Sequence, residues 1–309
     1  MTVDPHNKDF QRAFDLVANT SRNVFLTGRA GTGKTTFLKY LKENCSKAMA
    51  VVAPTGVAAI NAGGVTIHSL FQIKPGFSEP DTPPAYDLFK EKQAVLKGLD
   101  LLVIDEVSMV RCDLLEMVEK TCRYYGNHQQ PFGGKQVLFI GDPYQLPPVV
   151  GKDEKDVFGR FYSSPFFFKT DIFWQSKPLP IELKKIYRQN DRAFIDLLNR
   201  VRVNEVKDSD LEMLQKKVVG VDYPFATEKY LCLGTKNDQV GKINEQELEA
   251  LPGRVFVFRG QVTGIFEEKQ MPTELNLSLK EGAQIMFVKN DTGSDRRYYN
   301  GKLGVIQRI

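Results

Sequence analysis

A chain of 309 residues is long enough for two cores, and its 42% hydrophobic and 26% charged residues describe an ordinary globular protein rather than a disordered or fibrous one. Its formal net charge of +4 is compatible with an anionic partner without arguing for one. No apolar run approaches the length that spans a bilayer, and four cysteines without C-x-x-C spacing beside three histidines leave little for a structural zinc and suit free thiols in a reducing compartment.

Met1 to Phe10 is polar and carries no signal-like stretch, so a soluble, intracellular protein is expected. Phe10, Ala13, Phe14 and Val17 then form a helical stripe, and Val24-Phe25-Leu26 reads as a strand. The next eight residues, Gly28-Arg29-Ala30-Gly31-Thr32-Gly33-Lys34-Thr35, fit G-x-x-x-x-G-K-[ST] and lead into a helical pattern through Phe37, Leu38 and Leu41. A strand, a glycine-rich turn and a helix start form the context of a phosphate-binding loop. Its N–H groups can curl around a polyphosphate at the positive end of the helix dipole. Lys34 would reach the outer phosphates and Thr35 would place its hydroxyl on Mg²⁺. Gly28, Ala30, Gly31, Thr32, Gly33, Lys34, Thr35 and Thr36 are the candidate nucleotide-binding residues, with ATP and Mg²⁺ as ligands.

Ala48 to Ala53 reads as a strand ending near Pro54 and Thr55. Between Gly63 and Leu99 the pattern lapses, and Pro75-Gly76, Pro80 and Pro83-Pro84 exclude a long helix or a central strand. Leu101-Leu102-Val103-Ile104 has no polar alternation, as a buried parallel strand requires, and ends in Asp105-Glu106. Carboxylates at such a strand end lie where ligands bind in open α/β sheets. Asp105 can hold Mg²⁺, and Glu106 can orient or deprotonate an attacking water. Asp113-x-x-Glu116 can cap a helix with Leu114, Met117, Val118 and Tyr125 on its apolar face. Val137 to Ile140 is another buried strand, and Gln145 beyond it could bond a terminal phosphate.

Phe158 to Trp174 is rich in aromatics, without the interleaved basic runs of a base-stacking surface, and is expected to be mostly core. A boundary is expected at Lys177-Pro178-Leu179-Pro180. Beyond it, Phe194, Ile195, Leu198 and Val201 make a helix face, and Tyr230 to Leu233 a buried strand with Thr235 at its end. Thr55 and Thr235 are strand-end hydroxyls suited to backbone phosphates of a single strand, or equally to capping a helix. Arg254 to Arg259, Ala283 to Lys289 and Leu303 to Ile309 read as strands of a further β-rich module.

The ordered series of motifs resembles the superfamily 1 helicases of group B, and within them the petite-integration-frequency (PIF) family of 5′-to-3′ DNA helicases. Ala53-Pro54-Thr55-Gly56-Val57-Ala58-Ala59 followed by Gly64-Val65-Thr66-Ile67-His68 looks like motif Ia. Val103 to Met109 looks like motif II, and Asp113-Leu114-Leu115-Glu116 through Arg123 like the family's signature segment. Phe132 to Gln136 with Gly141-Asp142 and Gln145-Leu146-Pro147-Pro148 resembles motif III, and Ile186-Tyr187-Arg188-Gln189 resembles motif IV.

The resemblance implies an α/β P-loop NTPase with two RecA-like domains. The first would take residues 1–64 and 98–177, with a small wedge insert at 65–97. The second, partial, would take 178–245, and a β-rich module 246–309. It implies Lys34, Glu106, Gln145 and Arg188 as catalytic residues, Gln11 as the adenine reader, and Thr35 and Asp105 as holders of Mg²⁺. Pro54, Thr55, His68, Thr235 and Asn237 would form a DNA track. The implied activity is ATP-driven 5′-to-3′ movement on single-stranded DNA and unwinding of forked or tailed duplexes, by a monomer, in DNA repair, recombination and telomere maintenance. The compartment would be the nucleoid of a bacterium or the nucleus or mitochondrion of a eukaryote. The family's motifs V and VI have no counterpart in the sequence, so a fragment is expected. A P-loop ATPase indifferent to nucleic acid, or an ATP- and DNA-binding fragment without motor activity, are the alternatives.

Overall fold

The first amphipathic stripe folds as α1 (Lys8–Asn19), whose N-cap Asn7 accepts from the Phe10 N–H at 3.1 Å while Phe10, Ala13 and Val17 are buried. In this computed structural model residues 7–187, 191–220, 232–262, 273–288, 291, 297–298 and 301–309 are described. They fall into two compact units, and the chain passes from one to the other between Leu211 and Glu212.

The first unit alternates strand and helix. After α1 come β1 (Val24–Gly28), α2 (Lys34–Asn44), β2 (Met49–Ala53), α3 (Gly56–Asn61), β3 (Val65–Thr66), α4 (Ile67–Phe71) and α5 (Lys90–Lys97). They are followed by β4 (Leu101–Ile104), α6 (Cys112–Tyr124), β5 (Gln136–Ile140), α7 (Lys155–Phe161), α8 (Asp171–Gln175), β6 (Leu179–Leu183) and α9 (Arg192–Arg202), and α10 (Asp208–Gln215) runs across the division. The six strands form one sheet in the order β3-β2-β4-β5-β1-β6, and every pairing is parallel. All the loops that follow the strands therefore leave from one edge of the sheet, which is how motifs far apart in sequence meet.

The strand alternation feeds two cores. Leu101 and Val103 face a cluster with Val24, Leu26, Phe37, Leu41, Leu138, Ile140 and the apolar stripe of α1. Leu102 and Ile104 face the other, with Val137, Phe139, Phe71, Leu115, Val118, Phe167 and Phe173. β4 and β5 are buried at every position, as a sheet covered on both faces demands.

β6, which follows the prolines where the sequence suggested a boundary, pairs with β1 from Val24↔Leu179 to Gly28↔Leu183. The first sheet thus continues through that point, and the division between units comes 30 or so residues later. Residues 65–97 hold no long helix, as their prolines require, yet they are not a detached loop. β3 extends the sheet, and Ile67, Leu70, Phe71, Ile73, Leu88 and Leu96 enter its core.

The proline-rich stretch is strapped to the body by Arg111. Its guanidinium bonds Asp113 (2.6 and 2.8 Å), Glu154 (2.7 Å) and the Gly76 carbonyl (2.7 Å), while the Ser78 N–H donates to Asp113 at 3.1 Å. Lys120 donates to the Pro80 carbonyl and Tyr125 to that of Tyr86. This corrects the expected cap of α6. Arg111, not Asp113, is the N-cap residue, and the Asp113 carboxylate is taken up by Arg111 and Ser78. The aromatic block divides: Phe158, Phe167 and Phe173 are buried, whereas Phe161 and Trp174 are exposed.

In the second unit, α11 (Asn237–Ala250) precedes two antiparallel ribbons. β7 (Phe256–Arg259) pairs with β8 (Asn276–Leu279), and β9 (Gln284–Met286) with β10 (Leu303–Val305). β8 was not anticipated, although Glu274 to Lys280 alternates polar and apolar residues. Of the expected strand at Tyr230 to Leu233, Tyr230 and Leu231 lie outside the described residues, and Cys232 and Leu233 are exposed and in no strand.

Candidate nucleotide-binding site

The phosphate loop joins β1 to α2. Gly33 is the N-cap of α2 with φ 93°, a left-handed conformation that suits glycine. At Gly28 a Cβ would stand 2.6 Å from Thr32 Oγ1 and 2.7 Å from the Leu183 carbonyl oxygen, so β6 crowds the start of the loop and only glycine fits. Thr32 donates its hydroxyl to the Arg29 carbonyl at 2.8 Å and closes the turn. The Lys34 ammonium lies folded against the loop, donating to the carbonyls of Gly28 (2.6 Å) and Arg29 (3.2 Å). Burial holds Lys34 below the ordinary lysine range, with Asp142, Glu106 and Asp105 pulling the other way. Thr35 is exposed and Thr36 half-buried in the first turn of α2, and Ala30 is exposed at the loop's tip.

Across the sheet edge, β4 ends in Asp105, which is buried, and Glu106, which is half-buried. Glu106 has φ 50° and ψ 42°, a left-handed backbone that a non-glycine residue adopts at a cost and that clusters at functional sites. Burial and the neighbouring Glu106 push Asp105 up to about 6. Gly141, after β5, packs so tightly on this turn that a Cβ there would be 3.1 Å from the Ser108 nitrogen. Asp142 is wholly buried, and Gln145 Nε2 donates to its carboxylate at 3.1 Å. Burial works to raise Asp142, but bonds from Arg202, Gln145 and the Tyr144 N–H more than offset this and hold it below the ordinary carboxylate range.

The structure thus brings together Gly28 to Thr36, Asp105, Glu106 and Gln145. Arg188 lies outside the described residues, but Tyr187 just before it donates its N–H to the Gly31 carbonyl at 2.8 Å, tying motif IV to the phosphate loop. The Tyr187 hydroxyl accepts from the Asn7 side chain at 3.0 Å. Gln11 is half-buried on α1 and, with Lys8, Arg12, Asp15 and Leu179, lines an open depression of about 870 Å³. Sequence reasoning missed Asp142 as a site residue and missed Arg202 altogether, since no local pattern joins residues so far apart.

The residues expected to form a DNA track are divided between the two units. Thr55 and the half-buried Pro54 follow β2 at the same sheet edge, and Thr55 Oγ1 caps α3 by accepting from the Ala58 N–H at 3.2 Å. His68 is half-buried on α4, where burial and Arg111 hold its imidazole below the ordinary range. Thr235 is exposed ahead of α11 in the second unit, and Asn237 is that helix's first residue.

An all-parallel sheet with a glycine-rich loop after β1, an acidic pair after β4 and a glutamine turn after β5 defines a P-loop NTPase of RecA-like fold. A model of the PIF1-like helicase family matches residues 6–212. The human ATP-dependent DNA helicase PIF1 is 35% identical over 317 residues, covering 99% of this chain and 47% of that protein. Its counterpart from Saccharomyces cerevisiae strain YJM789 is 33% identical, covering 96% and 35%. Among solved structures, a Bacteroides Pif1 bound to single-stranded DNA aligns with a TM-score of 0.85 and 38% identity, over 99% of this chain and 70% of that one. The chain belongs to the PIF1-like helicase family. It spans about a third to a half of the length of these curated relatives.

Proposed function

We propose that this chain is the ATP-binding and hydrolysing part of a DNA helicase that moves 5′ to 3′ along single-stranded DNA and opens forked or tailed duplexes. The observation that carries this reading is the convergence, at one edge of the sheet, of Lys34 after β1, Asp105-Glu106 after β4 and Gln145 after β5. Lys34 is within electrostatic reach of all three site carboxylates, so it can exchange its loop carbonyls for an anion entering among them. Arg188 is retained as a second cation, supported by the bond that ties its neighbour Tyr187 to Gly31.

The donor set suits a divalent cation. Two adjacent carboxylates, one of them raised to about 6, relieve their repulsion by taking up a positive charge. Asp105 and Thr35 would hold Mg²⁺, which needs few protein ligands when a polyphosphate supplies the rest, and the ion would neutralise charge on the terminal phosphate. Glu106, on its strained turn, would accept the proton of the attacking water. Gln145 would bond the terminal phosphate and report its loss to the loop beyond. Gln11 is assigned to the adenine, on its place in the depression along α1.

The DNA contacts proposed are Pro54, Thr55, His68, Thr235 and Asn237, with the strand-end position of Thr55 as support. The strapped 65–97 segment is proposed as the wedge, since a part that parts a duplex must transmit force to the body that holds it. A single copy is the proposed working unit. The four cysteines are free, and burial pushes the Cys112 and Cys122 thiols up to about 12, consistent with inert thiols. The test is ATP hydrolysis by the purified chain with and without a single-stranded oligonucleotide. The reading expects stimulation that weakens with added salt, as counterions compete for the strand. Turnover indifferent to DNA would point instead to a P-loop enzyme that does not act on nucleic acid.

A further inference from the structure

The motif III turn contains a charge pair that the phosphate loop does not account for. Asp142 is wholly buried behind Lys34. Arg202, the last residue of α9, lies 60 residues further on and grips this carboxylate with two bonds, Nε to Oδ2 at 2.9 Å and Nη2 to Oδ1 at 2.6 Å. The same carboxylate accepts from Gln145 Nε2 at 3.1 Å and from the Tyr144 N–H at 3.2 Å. The guanidinium carbon also lies 4.4 Å from the centre of the Tyr144 ring. Its side chain is only 17% exposed and that of Asp142 is 0%.

A buried carboxylate stays ionised and in place only with an opposite charge and filled lone pairs. A two-pronged arginine also fixes the rotamer of the group it holds. Gln145 is otherwise exposed, so the carboxylate is the anchor of its side-chain nitrogen, and Arg202 is the anchor of the carboxylate.

We propose that Arg202 is a positioning residue for ATP turnover, which sets Gln145 at the phosphate site through Asp142 and so links the C-terminal end of α9 to motif III. The proposal rests on the ATPase reading above. It separates Arg202 from Lys34 and Arg188, since Arg202 addresses a carboxylate of the protein rather than the nucleotide. A displacement of α9 would be felt at Gln145, and a change at Gln145 would be felt at α9.

The test uses the full 309-residue chain carrying Arg202→Gln, Gln145→Ala, both, or Arg202→Lys. Arg202→Gln should lower turnover by about tenfold, the effect expected for losing a charge-assisted bond, with the KM for ATP within about threefold of the parent. Added to Gln145→Ala it should cost nothing further, because the two act in series. Arg202→Lys should recover part of the loss, having the charge without the fork. Hydrogen exchange at residues 142–149 should quicken in Arg202→Gln while that at residues 28–35 stays as in the parent.

Unchanged turnover, losses that multiply in the double variant, a KM that rises in step with the loss, or unchanged exchange at 142–149 would each overturn the proposal. A parent chain that hydrolyses no ATP would sink the functional reading, and the exchange measurement would still decide whether Arg202 holds motif III. If Arg202→Gln does not fold, the pair Asp142→Asn with Arg202→Gln leaves neither charge unpaired and should show the same loss and the same absence of effect beside Gln145→Ala.

Discussion

β4 and β7 were both read from sequence as strands, and they end in different surroundings. Leu101 to Ile104 is buried at every position between two packed cores, whereas in Phe256 to Arg259 three of four positions are exposed and one is half-buried. The first run lies between neighbours β2 and β5 in a sheet that helices cover on both faces. The second has β8 as its pairing partner in a two-stranded ribbon. An apolar run specifies a strand, but whether that strand is a structural centre depends on the layers that cover it, and those are set by residues elsewhere in the chain.

The contrast can be broken by truncation. Phe139→Ala, in a fully buried strand, should cost about 3–5 kcal/mol, while Phe258→Ala in the ribbon should cost under about 1 kcal/mol. Denaturant unfolding, followed separately for each unit if two transitions appear, reads both. Equal costs would show that the ribbon is packed as tightly as the sheet.

A smaller effect is expected at the crowded start of the phosphate loop. Gly28→Ala places a methyl against Thr32 Oγ1 and the Leu183 carbonyl, so the loop must shift. Nucleotide binding should weaken by about tenfold or more, an overpacking cost of roughly 1–3 kcal/mol, with little change in the unfolding of the second unit. Gly253→Ala, where a Cβ would meet nothing within 4 Å but φ is 97°, should leave nucleotide binding unchanged.

Acidity gives the smallest and most graded effect. The folded chain holds the Asp105 proton up to about 6, against 3.8 ordinarily. A raised acid favours the fold where it is protonated, so this contribution is present below about pH 4 and is lost as pH rises through about 6. Asp105→Asn should therefore stabilise the nucleotide-free chain above pH 6, with the difference fading below pH 4. Mg²⁺ must displace the same proton, so its binding with nucleotide should weaken as pH falls below about 6. Melting curves and metal titrations across that range check both signs, and a flat pH profile would argue against a buried, repelled carboxylate.

What the sequence made legible was local. The eight residues of the phosphate loop, the Asp105-Glu106 pair and Gln145 each follow an apolar strand, and each was found where its strand ends. Four of the six strands of the first sheet, β1, β2, β4 and β5, were readable from their apolar runs, whereas β3 is two residues long and β6 carries Pro180 and an exposed Glu182, and neither was read as a strand. What escaped was assembled from a distance. Arg202 meets Asp142 across 60 residues, Arg111 meets Glu154 across 43, and Ser78 meets Asp113 across 35. A carboxylate near a helix start looks like a cap until another part of the chain claims it, as Arg111 and Ser78 claim Asp113. The reverse holds for Thr55, where the capping role that sequence left open is the one its hydroxyl fills. β8 did carry a signal that went unread, since Glu274 to Lys280 alternates polar and apolar residues strictly, the period-2 pattern of a half-buried strand.

The central claim is that the ends of β1, β4 and β5 form one hydrolytic phosphate site, with Lys34 binding and Glu106 acting on water. The direct measurement is ATP affinity and ATP turnover side by side for the parent, Lys34→Ala and Glu106→Gln. The account predicts that Lys34→Ala loses both, while Glu106→Gln binds ATP as the parent does and turns over at least about a hundredfold more slowly, within the range of general-base loss. Glu106→Gln with parental turnover, or Lys34→Ala with parental affinity, would contradict it.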